Sequence, residues 1–304
     1  MVTKQVVLVT GASTGFGRLI AETLARRGHT VFATMRDLVG RNASNVSEIR
    51  ELAKKESLSL HVLELDVTDE ASADRATRDC VQQAGRIDAV INNAGFVVVG
   101  LAECVTLQQA RHQMNTNFFG CVIVNRAVLP YMRKQRSGLL LHVSSGAGRV
   151  ALPGFAFYCA SKFALEALAE TYHYELAGQG IESSILEPGA YKTAVFNNTV
   201  QAADASRSES YGAANEFASK MFRVLEGVAG NPQDLADAAV SIVETPAGQR
   251  QLRYRVSPTD MGIDDINAVC EKLQTRVLAG LGIASDTAFA QQTAAGSRGS
   301  ESAT

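Results

Sequence analysis

Short hydrophobic runs alternate with amphipathic stretches along most of the chain. The run 5–10 is apolar and β-branched, which indicates a buried strand, and the stretch 18–27 places Leu19, Ile20 and Leu24 on one face of a helix. Strands are predicted near 5–10, 30–35, 60–65, 88–92, 138–144, 181–187 and 251–256, and helices near 16–27, 46–55, 69–84, 107–134, 157–179, 212–226 and 232–244. This alternation predicts the α/β class, with a doubly wound parallel sheet of about seven strands and helices on both faces.

The alternation continues over most of the 304 residues, so we predict a single catalytic domain over 1–285. Within it, the segment near 194–230 mixes aromatic and aliphatic residues with polar ones and is predicted to form a substrate lid. Residues 286–304 are rich in Ala, Gln, Gly and Ser without apolar periodicity, and are predicted to be a disordered tail. Thr68 is predicted to cap a helix that begins at Asp69.

A glycine-rich loop connects the first predicted strand to the first predicted helix. Gly11 permits a tight turn, Gly15 lets the backbone approach a pyrophosphate, and Gly17 lets the helix pack against the strand. The N-terminus of the helix offers N–H groups and a positive dipole to phosphates. Although a glycine cluster alone could be a simple turn, its place between strand and helix favours a dinucleotide site. The residues assigned to it are Gly11, Ser13, Thr14, Gly15, Phe16 and Gly17.

Tyr158 and Lys162 lie four residues apart on a predicted helix, so that a phenol and an ammonium share one face. A neighbouring cation favours the phenolate, and such a pair can exchange a proton with an alcohol or a ketone. In isolation the spacing is more typical of a surface pair on an amphipathic helix.

Polar residues follow two of the predicted buried strands. Asn92 and Asn93 end one strand and precede Ala94 and Gly95, and their amides could satisfy loop backbone or face a cofactor. Another strand ends in two serines, Ser144 and Ser145, thirteen residues before Tyr158. Serines at a strand end are often turn caps, but this position favours a catalytic role for one of them.

In this order the motifs resemble the short-chain dehydrogenase/reductase family, in its single-domain branch. The similarity runs from about Lys4 to Thr193. It rests on Thr10-Gly11-x3-Gly15-x-Gly17, Asp66, Asn92-Asn93-Ala94-Gly95, Asn117, Ser145, Tyr158-x3-Lys162 and Pro188-Gly189-x3-Thr193. The resemblance implies a Rossmann-type fold that binds a nicotinamide dinucleotide.

The resemblance also implies roles for four candidate catalytic residues. Tyr158 would be the general acid/base, and Lys162 would hold the nicotinamide ribose and lower the pKa of Tyr158. Ser145 would hydrogen-bond the substrate carbonyl, and Asn117 would anchor a water in a proton relay. Asp66 would contact the adenine side, although a role at the entry of the next helix is also open. Further cofactor contacts are expected from Arg36, Asn93, Ala94, Gly95, Tyr158, Lys162, Pro188, Gly189 and Thr193.

The end of the second strand bears on the choice between NADP and NAD. A carboxylate there accepts hydrogen bonds from the ribose 2′-OH of NAD, whereas an arginine binds the 2′-phosphate of NADP. Met35 occupies the position at which NAD enzymes of the family place aspartate, and Arg36 follows it. This favours NADP. NAD would be accepted if Asp37 folds back onto the ribose, and a solvated Arg36–Asp37 pair with no role is the remaining alternative.

The net charge and the composition of the chain argue against several classes of binding partner. A net charge of -2 without a basic run gives no basis for nucleic-acid binding, and no run of about 18 apolar residues could span a membrane. With no recognisable signal peptide, a cytoplasmic location is expected. The five cysteines form no CxxC pair, and the five histidines have no metal-ligand spacing, so no protein-held metal is expected. The long helices near 107–134 and 157–179 favour the helix-pair interface of the family, in a homodimer or homotetramer.

We therefore expect an oxidoreductase that transfers a hydride between NADP(H) and a carbonyl or secondary alcohol. The run Gly15-Phe16-Gly17 and the stretch 158–176 look most similar to hydroxysteroid and retinol dehydrogenases, which suggests a bulky apolar ketone. Two alternatives are a non-catalytic NADP-binding sensor or scaffold, which would not need Tyr158, Lys162 and Ser145, and an epimerase or dehydratase of related fold, which usually has a larger C-terminal domain.

Overall fold

The computed structural model describes residues 3–191, 199–227 and 230–285, and these contain nine strands. The strands are β1 (Val6–Val9), β2 (Thr30–Met35), β3 (Leu60–Glu64), β4 (Ala89–Asn92), β5 (Val97–Val99), β6 (Gly138–Val143), β7 (Ile181–Pro188), β8 (Thr199–Gln201) and β9 (Arg253–Val256). The helices are α1 (Gly15–Arg26), α2 (Ala43–Glu56), α3 (Glu70–Ala84), α4 (Leu107–Met114), α5 (Gly120–Gln135), α6 (Ala156–Ala177), α7 (Phe217–Glu226), α8 (Gln233–Glu244) and α9 (Ile263–Gly280).

Seven of the strands form one parallel sheet in the order β3-β2-β1-β4-β6-β7-β9, and β5 and β8 pair in a separate small sheet. β1 lies at the centre, where Leu8 is in register with Phe32 on one side and Val90 on the other. Strand order reverses between β1 and β4, and in sheets of this kind ligands bind in the crevice at the carboxyl ends of the strands beside that point. The Rossmann-type sheet predicted from the sequence is confirmed.

Alternate residues of each strand enter different hydrophobic cores, one on each face of the sheet. Val7 and Val9 of β1 pack with α1, α2 and α8, whereas Val6 and Leu8 pack with α3 and α5. Both faces of the sheet are covered, and β1, β4 and β6 are therefore buried at every position. No helix in the described part of the chain is both long and apolar enough to cross a membrane.

Several boundaries differ from the sequence predictions. The long helix predicted near 107–134 contains a π-helical turn at Asn115–Phe119 between α4 and α5. Asp69 is itself the cap of α3, because its side chain accepts a hydrogen bond from the Ala71 N–H at 2.9 Å, so the prediction of Thr68 as the cap is wrong. Helix α9 was not predicted at all. The predicted tail at 286–304 lies outside the described residues.

Candidate active site

The glycine loop lies at the carboxyl end of β1 and leads into α1. Gly11 has a φ of 64°, and a Cβ added to it would lie 2.7 Å from the Cα of Ala94, so the loop and the segment after β4 approach as only glycine allows. Gly15 has a φ of 60° but has open space where its Cβ would be. A ligand could therefore approach the backbone closely at Gly15.

Thr10 ties this loop to the end of β4. Its hydroxyl accepts hydrogen bonds from the N–H groups of Asn93 at 2.9 Å and Ala94 at 3.0 Å. In return, the Asn93 side-chain amide donates to the carbonyl oxygens of Thr10 at 2.9 Å and Gly11 at 3.2 Å. The Asn93 side chain thus supports the loop backbone, which is one of the two roles left open by the sequence.

The N-terminus of α1 fits the phosphates of a dinucleotide. Thr14 is the N-cap residue, but its side chain makes no capping hydrogen bond, and the first turn carries no acidic residue. The first N–H groups of a helix have no partner within it, and together with the helix dipole they favour an anion. Phe16 packs edge-on against Tyr191, with ring centroids 5.8 Å apart, and so joins α1 to the segment that follows β7, which ends at Pro188 and continues into Gly189.

Gly11→Ala is expected to destabilise the protein by about 1–3 kcal/mol and to weaken dinucleotide binding, because the new Cβ combines a left-handed φ with a clash against Ala94. Gly15→Ala is the matched control for stability, since it shares the positive φ but meets no atom within 4 Å. Chemical denaturation of both variants measures the difference. Equal losses of stability would show that the contact with Ala94 is unimportant.

Tyr158, Ser145 and Lys162 meet where β6 ends and α6 begins. The Tyr158 side chain forms a hydrogen bond with Ser145. Lys162 is 6% exposed, its Nζ donates to the Val143 carbonyl at 2.8 Å, and it lies 5.9 Å from the centroid of the Tyr158 ring. The structure therefore brings together three of the four residues that the sequence proposed as catalytic.

The electrostatics of Tyr158 differ from the sequence expectation. Burial raises the pKa of Tyr158, and the hydrogen bond with Ser145 opposes this without reversing it. Burial also lowers the pKa of Lys162. The lower pKa of Tyr158 that the sequence led us to expect from the neighbouring cation is therefore not found in the chain alone. Tyr158 therefore keeps its proton at neutral pH and is poised to donate it.

Asn117, the fourth residue, lies on the π-helical turn and is buried. Its amide nitrogen donates to the Phe96 carbonyl at 3.0 Å and to the Ser161 hydroxyl at 3.2 Å, and its amide oxygen accepts from the Phe96 N–H at 3.1 Å. Its side chain also limits the space beside Gly95, where an added Cβ would lie 3.1 Å from the amide oxygen. Asn117 thus fixes the chain after β4 against α6, and π-helical turns often mark functional sites.

Arg36 and Asp37 follow β2, and Asp66 follows β3, at the same edge of the sheet. Arg36 is exposed, while the Asp37 carboxylate accepts hydrogen bonds from Gly40 N–H at 3.0 Å and Arg41 N–H at 2.8 Å. Met35 is 3% exposed and packs in the hydrophobic core.

Both oxygens of the Asp37 carboxylate thus hold the backbone of its own loop. The Asp66 carboxylate accepts from the N–H and the hydroxyl of Thr68, at 2.9 Å and 2.7 Å. These bonds support the helix-entry role that the sequence left open for Asp66.

An apolar wall surrounds Tyr158. It consists of Val97, Val99, Ala147, Phe155 and Cys159, with Leu152, Ala218, Met221 and Phe222 against them. The rings of Phe155 and Phe222 are 5.6 Å apart, so α7 packs over the start of α6. Residues 194–198 and 228–229 of the predicted lid, and Thr193 before it, lie outside the described residues.

Sequence reasoning missed two parts of the site. Thr10 was quoted only as part of a motif, and the fact that two strand ends converge on its hydroxyl could not be read from its position in the chain. The second is a buried cluster of carboxylates and arginines behind α6, whose members are far apart in sequence. Among the residues that the structure describes, no group of three or more His, Cys, Asp or Glu side chains could hold a metal ion.

Comparison with known proteins agrees with this geometry. The model of the short chain dehydrogenase family matches residues 5–204. The chain is 34% identical over 239 residues to a 3-ketodihydrosphingosine reductase of Bacteroides thetaiotaomicron, covering 79% of this chain and 83% of that protein. It is also 34% identical over 270 residues to human retinol dehydrogenase 8, covering 83% and 82%.

A solved short-chain dehydrogenase from Streptomyces avermitilis superposes with a TM-score of 0.74 at 29% identity, covering 94% of this chain and all of that one. The similarity therefore extends beyond the residues that the family model matches.

Proposed function

The chain belongs to the short-chain dehydrogenase/reductase family and is an oxidoreductase, and on that premise we propose that it reduces a bulky apolar ketone with NADPH, or oxidises the corresponding alcohol with NADP. The observation that carries the proposal is the arrangement of Tyr158, which is hydrogen-bonded to Ser145 beside the buried Lys162 and next to an apolar wall at the carboxyl edge of the sheet. When bound, the nicotinamide supplies or accepts the hydride.

In reduction, Tyr158 is the general acid. Its raised pKa keeps the proton on the phenol until negative charge develops on the substrate oxygen. Ser145 donates a hydrogen bond to the same oxygen, and because its own Oγ is held by the Ala147 N–H at 3.1 Å, the hydroxyl is already oriented. The reverse reaction requires the phenolate, so oxidation is favoured at higher pH than reduction.

Lys162 acts beside Tyr158 as a buried cation. Its Nζ is fixed by the Val143 carbonyl, which leaves its other N–H groups for the cofactor ribose and the phenol oxygen. Asn117 positions this pair through Ser161, whose hydroxyl donates to the Tyr158 carbonyl at 2.7 Å. We also propose that Asn117 anchors a water molecule in a proton relay to the active site.

Arg36 supports NADP over NAD as the cofactor. It is exposed at the carboxyl end of β2, and Asp37, the carboxylate that would favour NAD, is held within its own loop. Asp66, Ala94, Gly95, Pro188, Gly189 and Thr193 complete the proposed cofactor contacts.

The apolar wall supports the substrate class. A bulky hydrocarbon against Phe155, Met221 and Phe222 would bury apolar surface from water, whereas a small polar ketone would bury much less of it. One similar protein is named 3-ketodihydrosphingosine reductase, a name that fits an apolar ketone, and another is named retinol dehydrogenase 8, whose named substrate is apolar but is a primary alcohol. We propose that α7 and the 3₁₀-helical segment Ala205–Glu216 before it form the lid of the single catalytic domain.

The assay is NADPH oxidation with a series of ketones of increasing apolar chain length. We expect kcat/KM to rise about tenfold for every two methylenes that the wall buries, at about 0.8 kcal/mol each. Activity that is highest with small polar ketones would contradict the substrate class, and no turnover with any ketone or alcohol would contradict the reaction.

A homodimer or homotetramer is also part of the proposal. Phe119 on the π-helical turn and Phe163 on α6 are 49% and 43% exposed, and both lie on the helices expected to form the family interface. Large exposed aromatic side chains of this kind are typical of protein interfaces. We propose a cytoplasmic location as well.

A further inference from the structure

The chain that leads into the lid is bonded to the rest of the domain through its backbone. Strand β8 pairs with β5, and the N–H of Ala202 extends this pairing to the Val99 carbonyl at 2.8 Å. The N–H of Asp204 donates to the Cys104 carbonyl at 2.9 Å. Residues 199–204 therefore form a strap that is fixed beside β5.

A side chain of α4 reinforces the strap. Gln109 donates from Nε2 to the Gln201 carbonyl at 2.7 Å, and its Oε1 accepts from the Ala203 N–H at 3.0 Å. The same oxygen accepts from the Thr106 N–H at 3.1 Å in the capping box that begins α4. The strap is thus held by a neighbouring strand and by the start of a helix, and none of these bonds depends on an ionised group.

Beyond the strap, the Glu103 carboxylate connects the 3₁₀-helical part of the lid to the rest of the domain. Its Oε1 accepts from Arg207 Nη1 at 2.9 Å, and its Oε2 accepts from the Tyr211 hydroxyl at 2.7 Å. Arg207 also donates from Nε to Asp204 of the strap at 2.8 Å. Glu103, Arg207 and Tyr211 form a latch, in which both oxygens of one carboxylate hold the lid.

The latch differs from the strap in its exposure to water. The side chains of Glu103 and Arg207 are 49% and 54% exposed. Exposed ion pairs are screened by salt and contribute little to the stability of the fold. The hydrogen bonds from Tyr211 and Arg207 hold the pKa of Glu103 below its usual value, so the carboxylate is ionised at neutral pH. Such a contact can open and close while the domain stays folded.

The other end of the lid covers the apolar wall. The ring of Phe222 on α7 lies 5.6 Å from that of Phe155, and a Cβ added to Gly154 would lie 3.0 Å from the Cβ of Ala218. Since α7 packs this closely, a bulky ketone can lie between α7 and the rest of the wall only if α7 moves. Opening of the latch would release the chain that leads into α7.

We propose that Glu103 is a positioning residue for the proposed reaction: through Arg207 and Tyr211 it closes the lid over an apolar substrate, and its release admits the substrate. This inference rests on the proposed function, because the lid belongs to the same substrate site. The strap stays bonded in both states and returns the lid to the same place. Glu103 follows β5, whose Val97 and Val99 belong to the apolar wall, so the latch joins the lid to that wall.

Glu103→Gln is the principal test. The amide preserves the shape of the side chain but removes the charge that pairs with Arg207. We expect the KM for a long-chain apolar ketone to rise about two- to fivefold, the scale of an exposed ion pair, while kcat stays within about twofold. The KM for a short ketone that does not reach α7 should stay unchanged. An unchanged KM for the longest ketone, or an equal rise for all ketones, would overturn the proposal.

Glu56→Gln is the matched control. Glu56 forms an exposed ion pair with Arg26 at 2.8 Å, between α1 and α2 and away from the lid. The substitution makes the same chemical change and should leave the KM and kcat of every ketone unchanged. A similar rise of KM in Glu56→Gln would show that the loss of any exposed pair has this effect, and the latch would be rejected.

Ionic strength separates the charge of the latch from its shape. At saturating NADPH, the KM of Glu103→Gln for the long-chain ketone is divided by that of wild type, at about 0.05 M and about 1 M salt. We expect this ratio to fall towards one at high salt, because screening weakens the pair in the wild type and the variant has none to lose. A ratio that does not depend on salt would contradict an ionic latch.

Hydrogen–deuterium exchange measures the lid without turnover. In Glu103→Gln, and in Tyr211→Phe, which removes the second hydrogen bond to Glu103, peptides that cover 205–216 should exchange about twofold to fivefold faster than in wild type. Peptides from α8 should not change, and Glu56→Gln should give the wild-type pattern. Wild-type exchange in both latch variants would refute the latch. If wild-type protein turns over no ketone, the proposed reaction fails, but the exchange rates still decide whether Glu103 holds the lid.

Discussion

Tyr158→Phe is expected to lower kcat by about 100-fold or more, the usual scale for the loss of a general acid. The phenol oxygen is the only atom removed, and it is the atom that forms the hydrogen bond with Ser145. The ring stays in place because Val97, Phe155 and Met221 pack around it. Affinity for NADPH should therefore change by less than about twofold, as expected for loss of a group whose interaction is made in the transition state.

Steady-state kinetics and NADPH titration of the same variant test both statements. Tyr172→Phe is the matched control: it makes the same chemical change on α6, but Tyr172 packs against the hydrophobic core beneath the sheet. It should leave kcat unchanged. Near-normal turnover in Tyr158→Phe would remove Tyr158 from the mechanism, and an equal loss in Tyr172→Phe would attribute the effect to general damage of the helix.

The pH dependence of the remaining activity adds a check on the direction of proton transfer. Burial raises the pKa of Tyr158, so in the wild type the acid form persists through neutral pH and is lost only as the pH rises. The rate of ketone reduction should accordingly decline at high pH, and this decline should be absent in Tyr158→Phe.

Much of the fold could be predicted because the hydrophobic pattern of several strands matches their burial in the structure. β1, β4 and β6 are apolar at almost every position, which is typical of strands covered on both faces, and the structure buries all of them. The glycine loop was predictable for a similar reason: a left-handed φ at Gly11 and Gly15 leaves few residues that can occupy these positions.

Helix α9 was missed because its apolar residues remain exposed. Val269, Leu273 and Val277 are spaced at four-residue intervals, as on an amphipathic helix, yet each is more than half exposed. The helix is held by Ile263, which is buried at its start, and by polar contacts to β7 and β9. Asn267 donates to Glu187, and Arg255 pairs with Asp264 at 2.7 Å. No local pattern encodes such contacts.

The electrostatics of the site could not be predicted from spacing. Tyr158 and Lys162 are four residues apart, and this spacing alone suggested a lowered pKa for Tyr158. The burial that raises this pKa depends on the apolar cluster beside Tyr158, which includes Val97 of β5 and Phe222 of α7. Likewise, Asp37 is a free carboxylate in the sequence, but in the structure its oxygens accept backbone N–H groups of its own loop.

Arg36→Ala is expected to raise the KM for NADPH by about 10- to 150-fold, because a charge-assisted contact with a phosphate contributes about 1.5–3 kcal/mol. The KM for NADH should remain nearly unchanged, since NADH has no 2′-phosphate. Arg36 is suited to this contact because it is exposed directly after β2, at the edge of the sheet where the glycine loop also lies.

Three further variants isolate the effect. Arg50→Ala removes the same charge from an exposed position on α2. It should change neither the KM for NADPH nor the KM for NADH by more than about twofold, as expected for a distant, screened charge. Asp37→Asn tests whether a carboxylate supports NADH. Met35→Asp would place a carboxylate at the position that favours NAD, but Met35 is 3% exposed in the core, so we expect this variant to lose stability rather than to exchange cofactors cleanly.

The outcome decides between the three interpretations of the Arg36–Asp37 pair. A loss confined to NADPH in Arg36→Ala, with Asp37→Asn affecting both cofactors only slightly, assigns the 2′-phosphate to Arg36. A wild type that prefers NADH, together with a loss confined to NADH in Asp37→Asn, would mean that the loop rearranges so that Asp37 reaches the ribose. Equal effects of Arg36→Ala on both cofactors would leave Arg36 as a solvated charge, and the 2′-phosphate would have to be bound from elsewhere at this edge of the sheet.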